Sequence, residues 1–591
     1  MKFPNALRAR KTKQFWSRKI GPLAIRSILI PLALPLASPL ASAQIALPES
    51  IETQSLRSDA FSTGALEAQE ASLPRTLWQG SDAQTLSFLL DIAPARPAYP
   101  AIGEALRRTL LSASDGAADH LDRASRTKLG AQKLLALVEA GFVEEALAVA
   151  SFSDSPRNDP DTGKALALAE LVMKREPEAC ARGASINSTD EFWIRLRTFC
   201  YAYSGERDAA DLTLGLLREQ GRLTARQDDF LTAAVSGGGL KRPLEPRTAL
   251  ELAVARLLKQ PLVPAVLQSA NGSVLNGIAN DTSVETTTRI RAGRRAMAMG
   301  FMRAQDFGAL LASIPVTPEM VADAAGHIRR SPNAPLTDAI VWQAVSAMQA
   351  PEFLRDKASL IAQALSPVGS FNKQYARNRL YAADIASFEG AIIPSQDAGR
   401  FALARMSVGD SEGAARWLFA MKGDQPLVSL GDDEAAIFIQ LTSLLALLDP
   451  SAGQSVADAA QIALVDFSET TLIAGARGEA EDPYLPGRIT DLVFDAALAG
   501  PQNNKVGHKQ GQAALAAMAL ASIAQERAHP VQAVVIERAM SIASMDDLRA
   551  QLKFQSAWRS VMPKISSIRR PVVADPDAGL SPSLKPSRRG R

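Results

Sequence analysis

Apolar residues recur through most of the chain at spacings of three and four, while period-two alternation of Val, Ile, Thr and Tyr is scarce, so the periodic stretches predict helices rather than strands. Phe192, Trp193, Leu196, Phe199, Cys200 and Tyr203 share one helical face. Ser204-Gly205 then ends that helix, and Ala209, Leu212 and Leu216 are expected on the inner stripe of a returning one. The pattern repeats elsewhere. Leu134, Leu137 and Val138 lead into Gly141 and then Val143, Ala146, Leu147 and Ala150; Phe401 to Val408 lead into Gly409 and then Ala414, Ala415, Trp417 and Leu418. Further helical stretches are expected near 84–113, 161–175, 246–259, 285–313, 336–366, 372–387, 432–448, 453–465, 508–526 and 530–560. The fold class is all-α, read as an α-solenoid of antiparallel helix hairpins in two or three sub-domains.

In each hairpin a Gly stands five residues before an Ala: Gly141 and Ala146, Gly205 and Ala210, Gly409 and Ala414. The Gly permits a left-handed turn and the Ala a close helix approach. This arrangement resembles the helix-turn-helix of tetratricopeptide (TPR-like) repeat proteins. The resemblance implies stacked helix pairs that form a superhelix and bind partners. It covers about a quarter of the chain; the copies do not recur at the family's repeat length and its other signature positions are not evident, so neither repeat boundaries nor a ligand groove follow from it.

Composition divides the chain further. Residues 1–43 open with Lys2, Arg8, Arg10, Lys11, Lys13, Arg18 and Lys19, continue through an apolar stretch Ile28 to Leu40, and end in Ala41-Ser42-Ala43. That order predicts a signal peptide cleaved after Ala43. An uncleaved N-terminal anchor is the competing reading, disfavoured by Pro31, Pro35 and Pro39 in the short apolar stretch. Residues 44–82 read as a poorly ordered segment and 83–268 as a helical repeat region. Residues 269–284, rich in Asn, Gly, Ser and Thr, read as a linker, and 285–478 as a second repeat region. Residues 479–488, with Asp482-Pro483 and Pro486-Gly487, read as a loop, 489–566 as a C-terminal helical region, and 567–591 as a basic disordered tail.

Charge sharpens the compartment. Lys and Arg number 65 against 62 Asp and Glu. Eight of the basic residues, Arg26 included, lie in residues 1–43 with no acid among them, so the exported chain is mildly acidic. A general affinity for nucleic acid is therefore not expected. Localisation is expected to be the periplasm of a Gram-negative cell, with no membrane span after cleavage. An oxidising compartment lets the two cysteines, Cys180 and Cys200, pair as a disulfide; two separate buried thiols are the alternative.

Candidate chemistry is sparse. Gly409-Asp410-Ser411-Glu412-Gly413 fits the nucleophile-elbow pattern, but a helix rather than a strand precedes it, and Ser411 reads better as an N-cap. Ser125-Arg126-Thr127-Lys128 reads as a solvated helix start, and Gly237-Gly238-Gly239 lacks the remainder of a phosphate loop. His120, His327, His508 and His529 are dispersed without metal-ligand spacing. Glu144 with Glu145 and Asp432 with Asp433 read as exposed helix starts, and Trp193, Trp342, Trp417 and Trp558 as core. No catalytic, cofactor or metal residue is nominated. The basic tail, with Arg569, Arg570, Lys585, Arg588, Arg589 and Arg591, is read as a solubilising end, with weak contact to an anionic polymer as the alternative.

The expectation from these readings is a non-enzymatic periplasmic scaffold or adaptor that binds envelope proteins. Two other classes compete with it. One is an enzyme acting on cell-wall polymer, by similarity to the helical superhelix of lytic transglycosylases; the other is a lipid or small-molecule carrier with an internal cavity.

Overall fold

The computed structural model describes residues 59–66, 70–114, 121–154, 157–238, 245–366, 369–388, 393–423, 430–467, 509–523 and 530–567. The signal peptide, the 479–488 loop and residues 568–591 of the basic tail lie outside them. Among the described residues the secondary structure is wholly helical, with 26 α-helices and no strand.

Helix ends follow local chemistry. Asp122, Asp159, Thr248 and Asn271 each accept a backbone N–H in the first turn of the helix they precede, and Thr224 with Gln227 completes a capping box. Several long periodic stretches are pairs of helices. The stretch 84–113 divides into Ala83–Asp91 and Pro100–Leu111, separated by Pro94 and Pro97. The stretch 285–313 divides at Met299-Gly300, where Gly300 has φ +76°, and 530–560 divides at Ser544, φ +59°. Left-handed residues end helices without interrupting the apolar pattern, so the pattern alone overran them.

All three predicted hairpins form around glycines of positive φ: Gly141 at +93°, Gly205 at +80° and Gly409 at +82°. Their partner alanines Ala146, Ala210 and Ala414 are buried. The second hairpin differs from expectation in its inner stripe. Helix Arg207–Glu219 buries Ala210, Leu214 and Leu217, while Leu212 is 78% exposed and Leu216 44%. The helix carries apolar residues on two opposite faces, and packing selected the one that spacing from Ala209 does not mark.

One apolar core runs from Ala60 to Val561. It takes in two segments that composition assigned elsewhere. Within the expected poorly ordered residues 44–82, Phe61, Leu73, Leu77 and Trp78 are buried, and the Lys133 ammonium donates to the carbonyls of Phe61 at 2.9 Å and Thr63 at 2.7 Å. Within the expected linker 269–284, Gly272–Ala279 is a helix whose Val274, Leu275 and Ile278 have no exposed surface. Asp281, also in that stretch, pairs with Lys174 at 2.9 Å and Arg256 at 2.9 Å. Burial pushes its carboxyl up, but hydrogen bonds from Ser283 and Lys174 and the charge of Arg256 outweigh burial and hold it at about 2.

The last described helix, Asp546–Ser567, ties distant parts of the chain together. Gln555 accepts from the Ala101 backbone N–H at 3.0 Å, Arg108 forms two hydrogen bonds to Asp547 at 2.9 and 2.8 Å, and Gln551 donates to the Met406 carbonyl at 2.9 Å. An ideal solenoid unit touches only its neighbours, so these bonds set this helical body apart from an open array.

Backbones approach most closely at two glycine contacts. A Cβ on Gly272 would lie 1.9 Å from the Ala140 carbonyl oxygen, and one on Gly103 would lie 2.0 Å from that of Met299. These contacts clamp helix Gly272–Ala279 to the first hairpin turn, and helix Pro100–Leu111 to the Met299-Gly300 turn.

Candidate functional site

The second hairpin combines the disulfide with a free apolar face. Helix Glu191–Ser204 lays Phe192, Trp193, Leu196 and Phe199 into the main core, with Phe192 edge-on to Trp193 at 5.1 Å. Its Cys200 is bonded to Cys180 of helix Glu176–Ser185, with Cα atoms 5.5 Å apart. Ile194 faces away from that core into a small satellite one with Ala210, Leu214, Leu217, Leu231 and Val235. The returning helix is held to the body through this satellite core, and among the described residues none covers Leu212 and Leu216 on its opposite side.

That opposite side carries Leu212 and Leu216, one helical turn apart, with Gly215 beside them. Among the described residues nothing lies within 4 Å of the position where a Gly215 Cβ would stand. A mid-helix Gly costs about 1 kcal/mol relative to Ala, so its presence is not explained by helix stability. Asp208, Asp211 and Glu219 are exposed around the two leucines. The surface is therefore an apolar pair within an acidic rim. Sequence periodicity found these leucines but assigned them to the inside.

The disulfide yields a direct expectation. Closing the loop from Cys180 to Cys200 restricts the unfolded chain, so Cys200→Ser should lower stability by about 3 kcal/mol in the chain-entropy treatment. Urea unfolding of the variant against the oxidised protein measures it. An unchanged midpoint would show that the bond does not constrain the unfolded chain.

The other candidate residues take structural places. Gly409 to Gly413 form the turn of the third hairpin, but the N-cap is Asp410, which accepts from the Gly413 N–H at 2.9 Å; Ser411 instead donates its hydroxyl to Asp449 at 2.9 Å. Ser125 and Lys128 lie in the first turns of helix Arg123–Ala140, whose N-cap is Asp122, with Lys128 exposed. Gly237, at φ +63°, ends helix Ala225–Ser236. Asp432 and Asp433 are exposed at the start of helix Asp432–Leu448. Glu144 is exposed in the first turn of Val143–Phe152, whereas Glu145 is partly buried with its carboxylate 3.8 Å from Arg107 Nε. Burial pushes the Glu145 carboxyl up, against the pull of Arg107 and Arg303. Trp193, Trp417 and Trp558 are core residues and Trp342 packs against the core. His327 lies on helix Ala324–Arg330; the other three histidines fall outside the described residues.

Among the described residues no cluster of His, Cys, Asp and Glu is disposed to hold a metal ion, and no helix is long and apolar enough to cross a membrane. No family model matches the chain, and no curated protein or solved structure matches it either.

Proposed function

We propose that this protein is a non-enzymatic helical-repeat scaffold or adaptor of the periplasm, exported by its N-terminal signal peptide, that holds envelope proteins on stacked helix hairpins. The arrangement is read as α-solenoid-like, with the final helix bracing the stack. The observation that carries the reading is the outward face of helix Arg207–Glu219, where Leu212 stands 78% exposed beside Leu216 while the helix already fills its core with Ala210, Leu214 and Leu217. Water solvates such a pair unfavourably, and covering two leucines contributes on the order of 2 kcal/mol each. The partner surface that fits is an amphipathic helix with an apolar stripe flanked by Lys or Arg, the flanks complementing Asp208, Asp211 and Glu219.

A photo-crosslinking residue placed at 212 in living cells, with a second placed at exposed Glu319 for comparison, tests this. A discrete envelope-protein adduct from position 212, absent from 319 and suppressed by Leu216→Asp, is the expected result. Adducts equally frequent at both positions, or none at 212, would remove the face as a docking surface. Leu216→Asp should leave the unfolding midpoint nearly unchanged, because surface substitutions of this kind change stability by about 0.5 kcal/mol or less.

A further inference from the structure

We infer that the cavity between helix Pro100–Leu111, the Gly141 turn and helix Thr286–Ala298 is a binding site for a small organic anion with an apolar body, with Arg289 as its principal anchor. The cavity has a volume of about 590 Å³. That lies within the ordinary range for metabolite-sized ligands. One wall is apolar, formed by Phe142, Val172, Phe301, Met302 and Leu310, with Phe142 and Phe301 edge to face at 5.4 Å. Gly141, at φ +93°, and Gly300, at φ +76°, both line the space.

The charged groups identify the ligand class. Four arginines are buried among the described residues: Arg107, Arg289, Arg294 and Arg377. Arg294 and Arg377 both pair with Asp338, and Arg107 forms two hydrogen bonds to Glu70 with Glu104 and Glu145 also within 4 Å. Arg289 is the exception. Only 7% exposed, it donates Nε to the Ala279 carbonyl at 3.1 Å and reaches Ser313 Oγ at 3.5 Å, with no carboxylate partner among the described residues. A second arginine of the lining, the half-buried Arg379, is hydrogen-bonded to the Tyr375 hydroxyl at 3.3 Å and lies over the Tyr375 ring; the only carboxylate charge that acts on it among the described residues is that of Glu104, which is already within 4 Å of Arg107. The other two lining arginines are paired, Arg303 to Asp306 at 3.0 Å and Arg107 as above.

An arginine cannot shed its proton at accessible pH, so a buried one without a counter-ion carries an uncompensated desolvation cost. The carbonyl at the C-terminal end of helix Gly272–Ala279 offsets part of it for Arg289. A carboxylate or phosphate in the cavity would complete the compensation, and charge-assisted hydrogen bonds to guanidinium groups are the stronger kind. The apolar wall then takes the remainder of the molecule.

Thermal unfolding of the full exported chain in phenylacetate, in inorganic phosphate and in chloride at equal ionic strength tests the inference. Phenylacetate should raise the midpoint above chloride. Arg289→Gln should weaken that response about tenfold or more, as expected for loss of a charge-assisted pair. Arg379→Gln provides the same comparison if Arg289→Gln fails to fold, and Arg295→Gln, on the same helix but outside the cavity lining, should respond as the unmodified chain does. No rise over chloride, or an undiminished rise in the Arg289 and Arg379 variants, would overturn the site. Phosphate as effective as phenylacetate would overturn the apolar body of the ligand.

Discussion

Gly272→Ala should be among the most damaging single methyl additions in this protein, lowering stability by about 3 kcal/mol or more, at the upper end of what overpacking produces. The added Cβ would meet the Ala140 carbonyl oxygen at 1.9 Å and that residue's carbonyl carbon at 2.4 Å. Both are backbone atoms, so no side chain can rotate away. Relief requires helix Gly272–Ala279 to separate from the first hairpin turn, which would also break the hydrogen bonds from Asn276 Nδ2 to the carbonyls of Gly141, at 2.8 Å, and Phe301, at 3.2 Å. Gly205→Ala is the informative contrast. It also places a methyl on a glycine, at φ +80°, but with nothing within 4 Å among the described residues, so only backbone strain of about 1 kcal/mol is expected. Urea unfolding of the two variants side by side separates close approach from conformational strain; equal losses would show that the Gly272 contact yields without cost.

The same contact explains which parts of the fold the sequence disclosed. Hairpin turns were legible because a Gly that must adopt positive φ, followed at fixed distance by a small residue, is a local requirement written at the place where it acts. The Asn-, Gly- and Ser-rich stretch 269–284 misled for a related reason. Its Asn271 is an N-cap, its Gly272 a site of backbone contact, its Asn276 a bridge between two distant turns, and its Asp281 the partner of Lys174 and Arg256. Each polar or small residue there serves a tertiary contact, and composition cannot distinguish such residues from those of a solvated loop. Likewise, residues 59–82 carry few apolar positions, but Phe61, Leu77 and Trp78 are wholly buried, because helices far along the chain supply the surface that covers them. Leu212 and Leu216 mark the limit of periodicity itself. On a helix with two apolar faces, the spacing identifies both and burial chooses between them. The charged cavity was beyond the reach of the sequence, since Arg107, Arg289 and Arg379 come from three helices and become notable only through the presence or absence of carboxylates around them.

Stability should rise as pH increases from 7 toward 9.5, and Lys133 should account for much of the slope. Its side chain has no exposed surface, and burial pulls the ammonium down to about 7, with Asp59 only partly restoring it. In the unfolded chain the same amine titrates at its ordinary value of 10.5. Between those two pH values the unfolded state binds the additional proton, so each pH unit adds on the order of 1.4 kcal/mol to folding at most. Below pH 7 both states are protonated and the burial penalty is fully present. The range is best closed near 9.5, because burial pushes the Tyr375 and Tyr381 phenols up, and their ionisation in the unfolded chain near pH 10 acts in the opposite direction. Lys133→Met should flatten the profile over this interval. It should also release residues 59–66, whose carbonyls at Phe61 and Thr63 lose their donor, so protease accessibility near Phe61 should increase in the variant at pH 7. A Lys133→Met profile as steep as that of the unmodified protein would assign the slope to other groups, whereas a flat profile with increased cleavage near Phe61 would establish one buried amine as both the titrating group and the anchor of the segment that composition left unstructured.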